Sequence, residues 1–113
     1  MAPHHSIPIL PQRPLSDTAL CAWLGVAAPG DAIVYHRGAL ARELCPQLKL
    51  LEQDERVRLA KLAGRAWRLA EAGLACLVQR RLGFEDYEYL LVARRRPRRN
   101  TRSIMPLLLR DAA

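Results

Sequence analysis

Aromatic residues make up only 5% of this 113-residue sequence. A hydrophobic core must therefore be built from Leu, Ala and Val. No run of 18 apolar residues occurs, which excludes a membrane-spanning helix by composition. The opening MAPHHSIPILPQRP has no charged segment followed by a long apolar one, so no signal peptide is expected and the expected location is the cytoplasm. Cysteines are few and odd in number. Cys21, Cys45 and Cys76 are widely spaced, which argues against a disulfide framework, and each lies among apolar residues as a buried thiol would. There is no Cys-x-x-Cys, His-Glu-x-x-His, Gly-rich phosphate loop or Gly-x-Ser-x-Gly. Neither an enzyme nor a cofactor nor a metal is expected. A thiol–imidazole pair of His36 with Cys45 or Cys76 is a weaker reading than a plain structural role for a histidine at a strand end. Lysine is also scarce: Lys49 and Lys61 are the only two, and the other basic residues are all arginine. Arginine binds phosphate bidentately, although a composition rich in Arg, Ala and Leu reflects a GC-rich genome equally well.

What is present is a concentrated positive charge. The formal net charge is +7, and residues 1–53 carry four Lys/Arg against four Asp/Glu. The whole excess lies in residues 54–113. A basic excess of this kind favours a polyanionic partner, most often nucleic acid.

The chain divides into three parts. Residues 1–15 hold Pro3, Pro8, Pro11 and Pro14, a density that blocks helix and central strand, and are expected to form a disordered proline-rich segment. Residues 16–95 form the expected domain, and 96–113 a basic and apolar tail. Within the domain, Ser16, Asp17 and Thr18 are N-cap candidates for a short helix. Pro29-Gly30-Asp31 ends it, and Ala32–His36 reads as a strand. Residues 39–44 suit one or two helical turns that stop before Pro46. A long amphipathic helix follows from Asp54 to Gly73. Leu59, Leu62, Ala66 and Leu69 recur on one side at the helical period, and Arg58, Lys61, Arg65 and Arg68 on another. At about 100° per residue those four cations fall within roughly 80° of each other. Gly73 is the stop. Residues 74–81 and 87–93 then read as two strands of a hairpin around a Gly-containing loop. Trp67 is expected in the core, and Tyr35, Tyr87 and Tyr89 as half-buried strand residues.

The order helix, strand, short helix, long helix, strand, strand resembles the winged helix-turn-helix superfamily, in its small bacterial and phage-type members. The most specific piece is Ala66-Trp67-Arg68-Leu69-Ala70-Glu71-Ala72-Gly73-Leu74 running into Leu77-Val78-Gln79-Arg80-Arg81. It looks like a recognition helix passing through Leu-x-x-x-Gly-Leu into the first wing strand. The resemblance implies an α+β winged-helix fold, with Ile33–His36 added to the hairpin as a third strand. It also implies a double-stranded DNA-binding protein, a small transcriptional regulator whose helix 54–73 reads the major groove. Arg58, Lys61, Arg65 and Arg68 would then face DNA. Arg80 and Arg81 would meet the backbone or minor groove at the wing, and Arg94, Arg95 and Arg96 would track phosphates. The acidic wing tip, Phe84-Glu85-Asp86 with Glu88 after it, would repel phosphate. It favours the alternative, a winged-helix protein–protein interaction module, such as a phage-type accessory protein or inhibitor whose basic face meets an acidic protein partner. A homodimer is the further expectation, with Leu107–Leu109 as the candidate contact.

Overall fold

The computed structural model describes residues 7–95. Arg96, the rest of the arginine-rich run and the Leu107–Leu109 patch lie outside the described residues. Three helices pack with one three-stranded antiparallel sheet. The elements are α1 (Asp17–Val26), β1 (Ala32–Gly38), α2 (Leu40–Glu43), a single 3-10 turn (Pro46–Leu48), α3 (Gln53–Glu71), β2 (Ala75–Gly83) and β3 (Asp86–Ala93). The sheet order is β1-β3-β2, so the hairpin strand β3 is central and β1 joins it from the far side.

Local chemistry explains where each element begins and ends. The Ser16 hydroxyl accepts from the Ala19 N–H at 3.1 Å, satisfying one of the donors that a helix start leaves open, and Asp17 supplies negative charge in the first turn. The turn after α1 is closed by the Ala28 N–H donating to the Asp31 carboxylate at 2.9 Å. It is stitched to the end of β3 by Gly30 N–H to Ala93 O and Ala93 N–H to Asp31 O. At the other end of the domain, α3 stops at Gly73, which has φ +78°. Gly73 N–H donates to Ala70 O at 3.0 Å and Leu74 N–H to Leu69 O at 3.1 Å. That pair of bonds is a Schellman closure, and it turns the chain into β2 with Leu69 and Leu74 both in the core.

The core lies between the helices and one sheet face. Leu20, Leu24, Leu59, Leu62 and Leu91 are fully buried there, joined by Ile33, Tyr35, Ala66, Leu69, Leu74, Ala75 and Ala93. Each fully buried leucine contributes roughly 1.5–3 kcal/mol, so this cluster, rather than surface charge, holds the domain together. Ala32, Val34 and Leu90, with Val92 against them, form a second, smaller apolar cluster. Along β3, residues therefore alternate between the two clusters: Leu91 and Ala93 in one, Leu90 and Val92 in the other.

The alternation breaks in β1. Val34 pairs with Leu90 but His36 pairs with Tyr89, leaving Tyr35 as the extra residue of a β-bulge. The bulge lets two neighbours in sequence lie against the same ring. The Tyr35 and His36 ring centroids are 6.3 Å and 5.9 Å from that of Tyr89.

Several features differ from the sequence expectations. Residues 7–15 are not a free tail: Ile9 forms a parallel bridge with Ile33, with Ile9 N–H to Ala32 O at 2.9 Å and Val34 N–H to Ile9 O at 2.8 Å. Proline blocks a full strand, but it leaves Ile9 with its N–H, and one bridge covers part of the outer edge of β1. Trp67 is not in the core; it is 59% exposed. Only Cys21 is a buried thiol, while Cys45 is intermediate and Cys76 exposed on β2. β2 is an edge strand, and nearly all of it beyond Ala75 is exposed. Apolar neighbours in sequence therefore did not imply burial.

Candidate nucleic-acid interface

Helix α3 carries the proposed cationic row, and the fold divides that row in two. Lys61 and Arg68 are exposed on the outer surface. Gly64 lies between them in sequence, and the Arg68 guanidinium comes within 3.4 Å of the point where a Gly64 Cβ would be. Arg68 is thus laid back along the helix over the glycine. Arg58 and Arg65 turn the other way. Arg58 is half-buried and its NH1 group donates to the Leu15 carbonyl at 3.0 Å. Arg65 is only 2% exposed, with its NH2 group 3.7 Å from the Asp17 carboxylate of α1.

The placement of Arg65 on a DNA-facing side is therefore corrected, while Arg58 is half-buried and turned toward the Leu15 carbonyl. The reason is geometric. Arg58 stands four residues before Leu62 and Arg65 four before Leu69, which puts each about 40° round the helix from a buried leucine. The buried arc of α3 takes in Arg65, where α1 packs, and borders Arg58, where the segment before α1 lies. This signal was available in the spacing, but it needed the position of α1 to be decisive.

The β2–β3 hairpin redistributes charge in a similar way. Arg80 is bonded to Glu88 across the hairpin, so much of its charge is matched within the sheet. Arg81 Nε donates to Gly83 O at 3.1 Å and the side chain is exposed. Adjacent strand residues point to opposite faces; Arg80 and Arg81 cannot engage one phosphate together. The side chains of Arg94 and Arg95 are exposed just after β3. The Arg94 backbone N–H is fixed to Leu74 O at 3.1 Å, which holds the start of this pair beside the end of α3.

The acidic turn between β2 and β3 is engaged by two arginines that the sequence reading left out. Arg42 of α2 pairs with Glu85 at 2.6 Å, and Arg37 of β1 pairs with Asp86 at 3.1 Å. The Arg37 hydrogen bond holds the Asp86 carboxyl below its ordinary range. These carboxylates tie the hairpin turn to β1 and α2 and carry a matching positive charge beside them. Nothing in the sequence pattern joins residues 37 and 42 to residues 85 and 86 over more than forty positions.

Beside the hairpin, His36 Nε2 lies 2.7 Å from Glu43 Oε1, and the Tyr89 hydroxyl accepts the Leu40 N–H at 3.0 Å. His36 is therefore engaged by a carboxylate and not by a thiol. Burial first, and then the neighbouring Tyr89, push the Tyr35 phenol up to about 12. Among the described residues no group of three or more His, Cys, Asp or Glu is placed to hold a metal ion. None of the described helices is long and apolar enough to cross a membrane.

Compared with protein-family models, curated proteins and solved structures, the chain matches none.

Proposed function

We propose that this chain is a winged-helix protein that binds double-stranded DNA, as a small transcriptional regulator acting in the cytoplasm. The reading rests on one observation above the others. The outer surface of the longest helix presents Lys61 and Arg68 on either side of a glycine, while the opposite side is anchored in the core. A helix held in this way can approach a groove closely. The order of elements, with β1 added to a β2–β3 hairpin, supports the winged-helix reading. Arg81, Arg94 and Arg95 extend the basic surface. Four of the seven net positive charges lie in residues 96–113 by sequence, which adds affinity for phosphate without sequence preference.

The site proposed here is Lys61, Arg68, Arg81, Arg94 and Arg95, with Arg96 beyond them in sequence. Fluorescence anisotropy on a mixed-sequence duplex at several salt concentrations tests it. If about six phosphates are neutralised, log K falls against log salt with a slope near −5. Lys61→Ala with Arg68→Ala should weaken binding and reduce that slope by about 2. Unchanged affinity in this double variant defeats the groove-reading model. A chain ending at Ala93 separates helix from tail: binding retained there belongs to the folded domain.

A second reading is a protein-interaction module. It is favoured by the wing, where Phe84 is 84% exposed beside Leu82, and by the exposed edge of β2. Exposed apolar groups along an open strand edge suit pairing with another chain. Absence of duplex binding at low salt, together with a defined co-purifying partner, would select this reading.

A further inference from the structure

The proline-rich arm borders an open cleft of about 310 Å³ against β1 and the first half of α3. Its lining is of two kinds. Leu10, Pro14, Val34 and Tyr35 supply apolar surface, while Arg13 from the arm and Arg58 from α3 supply positive charge. No carboxylate lines it. His36 and Arg37 also border the space, but each already has a counter-charge, in Glu43 and Asp86. Arg13 and Arg58 differ from them: among the described residues neither has a carboxylate within ion-pair distance.

Arg58 is the more informative of the two. Its bond to the Leu15 carbonyl fixes the guanidinium in place, yet a carbonyl does not neutralise the charge. A half-buried guanidinium with no counter-ion among the described residues, set beside apolar walls, is matched best by an anion. The planar fork binds a carboxylate or phosphate through two N–H donors. The volume lies at the small end of the roughly 300–1,000 Å³ range of ligand sites, enough for a single ring with one acidic group.

We propose that this cleft binds a small organic anion, one carboxylate or phosphate on a flat apolar body. Arg13 and Arg58 take the acid, and the surfaces of Leu10, Pro14, Val34 and Tyr35 take the body. The site is separate from the exposed Lys61–Arg68 surface of α3 and does not depend on the DNA reading.

The test is a titration of the ¹⁵N-labelled full chain with benzoate, with benzamide as its uncharged match and phenyl phosphate as the second acid. Saturable amide shifts are expected at Arg13, Val34 and Arg37, with Lys61 and Arg68 unmoved, for one or both acids. The tighter of the two identifies the acid preferred. Benzamide should bind at least about tenfold more weakly than benzoate, the scale of one charge-assisted contact. Arg13→Gln should weaken the acids by a similar factor. Arg58→Lys keeps the cation and loses the fork; it should weaken them severalfold while the spectrum elsewhere stays that of the wild type. Equal binding of benzamide and benzoate would overturn the proposal. So would shifts spread over Lys61 and Arg68, affinity unchanged in both variants, or no saturable shift with either acid.

Discussion

The Arg65 guanidinium, buried in α3, faces the Asp17 carboxylate at the first turn of α1 across 3.7 Å. This contact turns a residue that the sequence places in a cationic row into part of the α1–α3 packing. A buried charge is costly without its partner, but the pair as a whole gains little over an apolar contact of the same volume. Asp17→Ala should therefore destabilise the domain by about 1–3 kcal/mol, while Arg65→Met should stay within about 1 kcal/mol of wild type. Urea unfolding followed by circular dichroism measures both. Arg65→Met should also leave duplex affinity unchanged, unlike the Lys61/Arg68 double variant. A loss of binding in Arg65→Met would restore Arg65 to the interface.

Two glycines with positive φ should respond unequally to alanine. At Gly73 nothing lies within 4 Å of an added Cβ, so the cost is that of a left-handed backbone alone, about 1 kcal/mol. At Gly38, with φ +141°, the Cβ would fall 2.5 Å from Glu43 Oε1, and that oxygen is held by His36. Gly38→Ala should cost more than Gly73→Ala and should break the His36–Glu43 contact. Thermal unfolding of the two variants side by side checks the order.

Tyr35 sets an alkaline limit. Its folded pKa of about 12 lies above the ordinary 10. Between those values the unfolded chain has released the proton and the folded chain has not, so stability falls as pH rises through that window. The stability this group contributes is fully present below pH 10 and is lost progressively toward pH 12. The loss is on the order of 2–3 kcal/mol. Tyr35→Phe should remove that part of the alkaline slope, measured by denaturant midpoints between neutral pH and pH 12. An identical slope in the variant would show that other groups cause it.

The three thiols should label in a fixed order. Cys76 is exposed on β2, Cys45 is intermediate with its S–H donating to Gln47 Oε1 at 3.2 Å, and Cys21 is buried in the core. A thiol reagent under native conditions should modify Cys76 first, and Cys21 only at the rate of unfolding. Mass spectrometry of the time course, with each site assigned, tests this order.

The sequence alone determined the elements and their order. Helical spacing of Leu59, Leu62, Ala66 and Leu69, turn chemistry at Pro29-Gly30-Asp31, and Gly73 followed by Leu74 are local signals. Local hydrogen bonding and backbone sterics act on neighbours along the chain, so they can be read from neighbours. The pairing of β1 with the hairpin was expected from the resemblance alone, and the sheet order β1-β3-β2 agrees with it. Tertiary structure decided which charges are available. Arg58 and Arg65 share one helical row with Lys61 and Arg68, and the spacing sets them only somewhat nearer the buried leucines. The position of α1 and of the Leu15 carbonyl makes that difference decisive. The same holds for Arg37 and Arg42, which meet Asp86 and Glu85 because the sheet brings distant segments together. It holds for the bulge at Tyr35, which puts Tyr35 and His36 against one ring. Coulomb and packing forces depend on distance in space, and the chain order does not carry that distance until the core has closed.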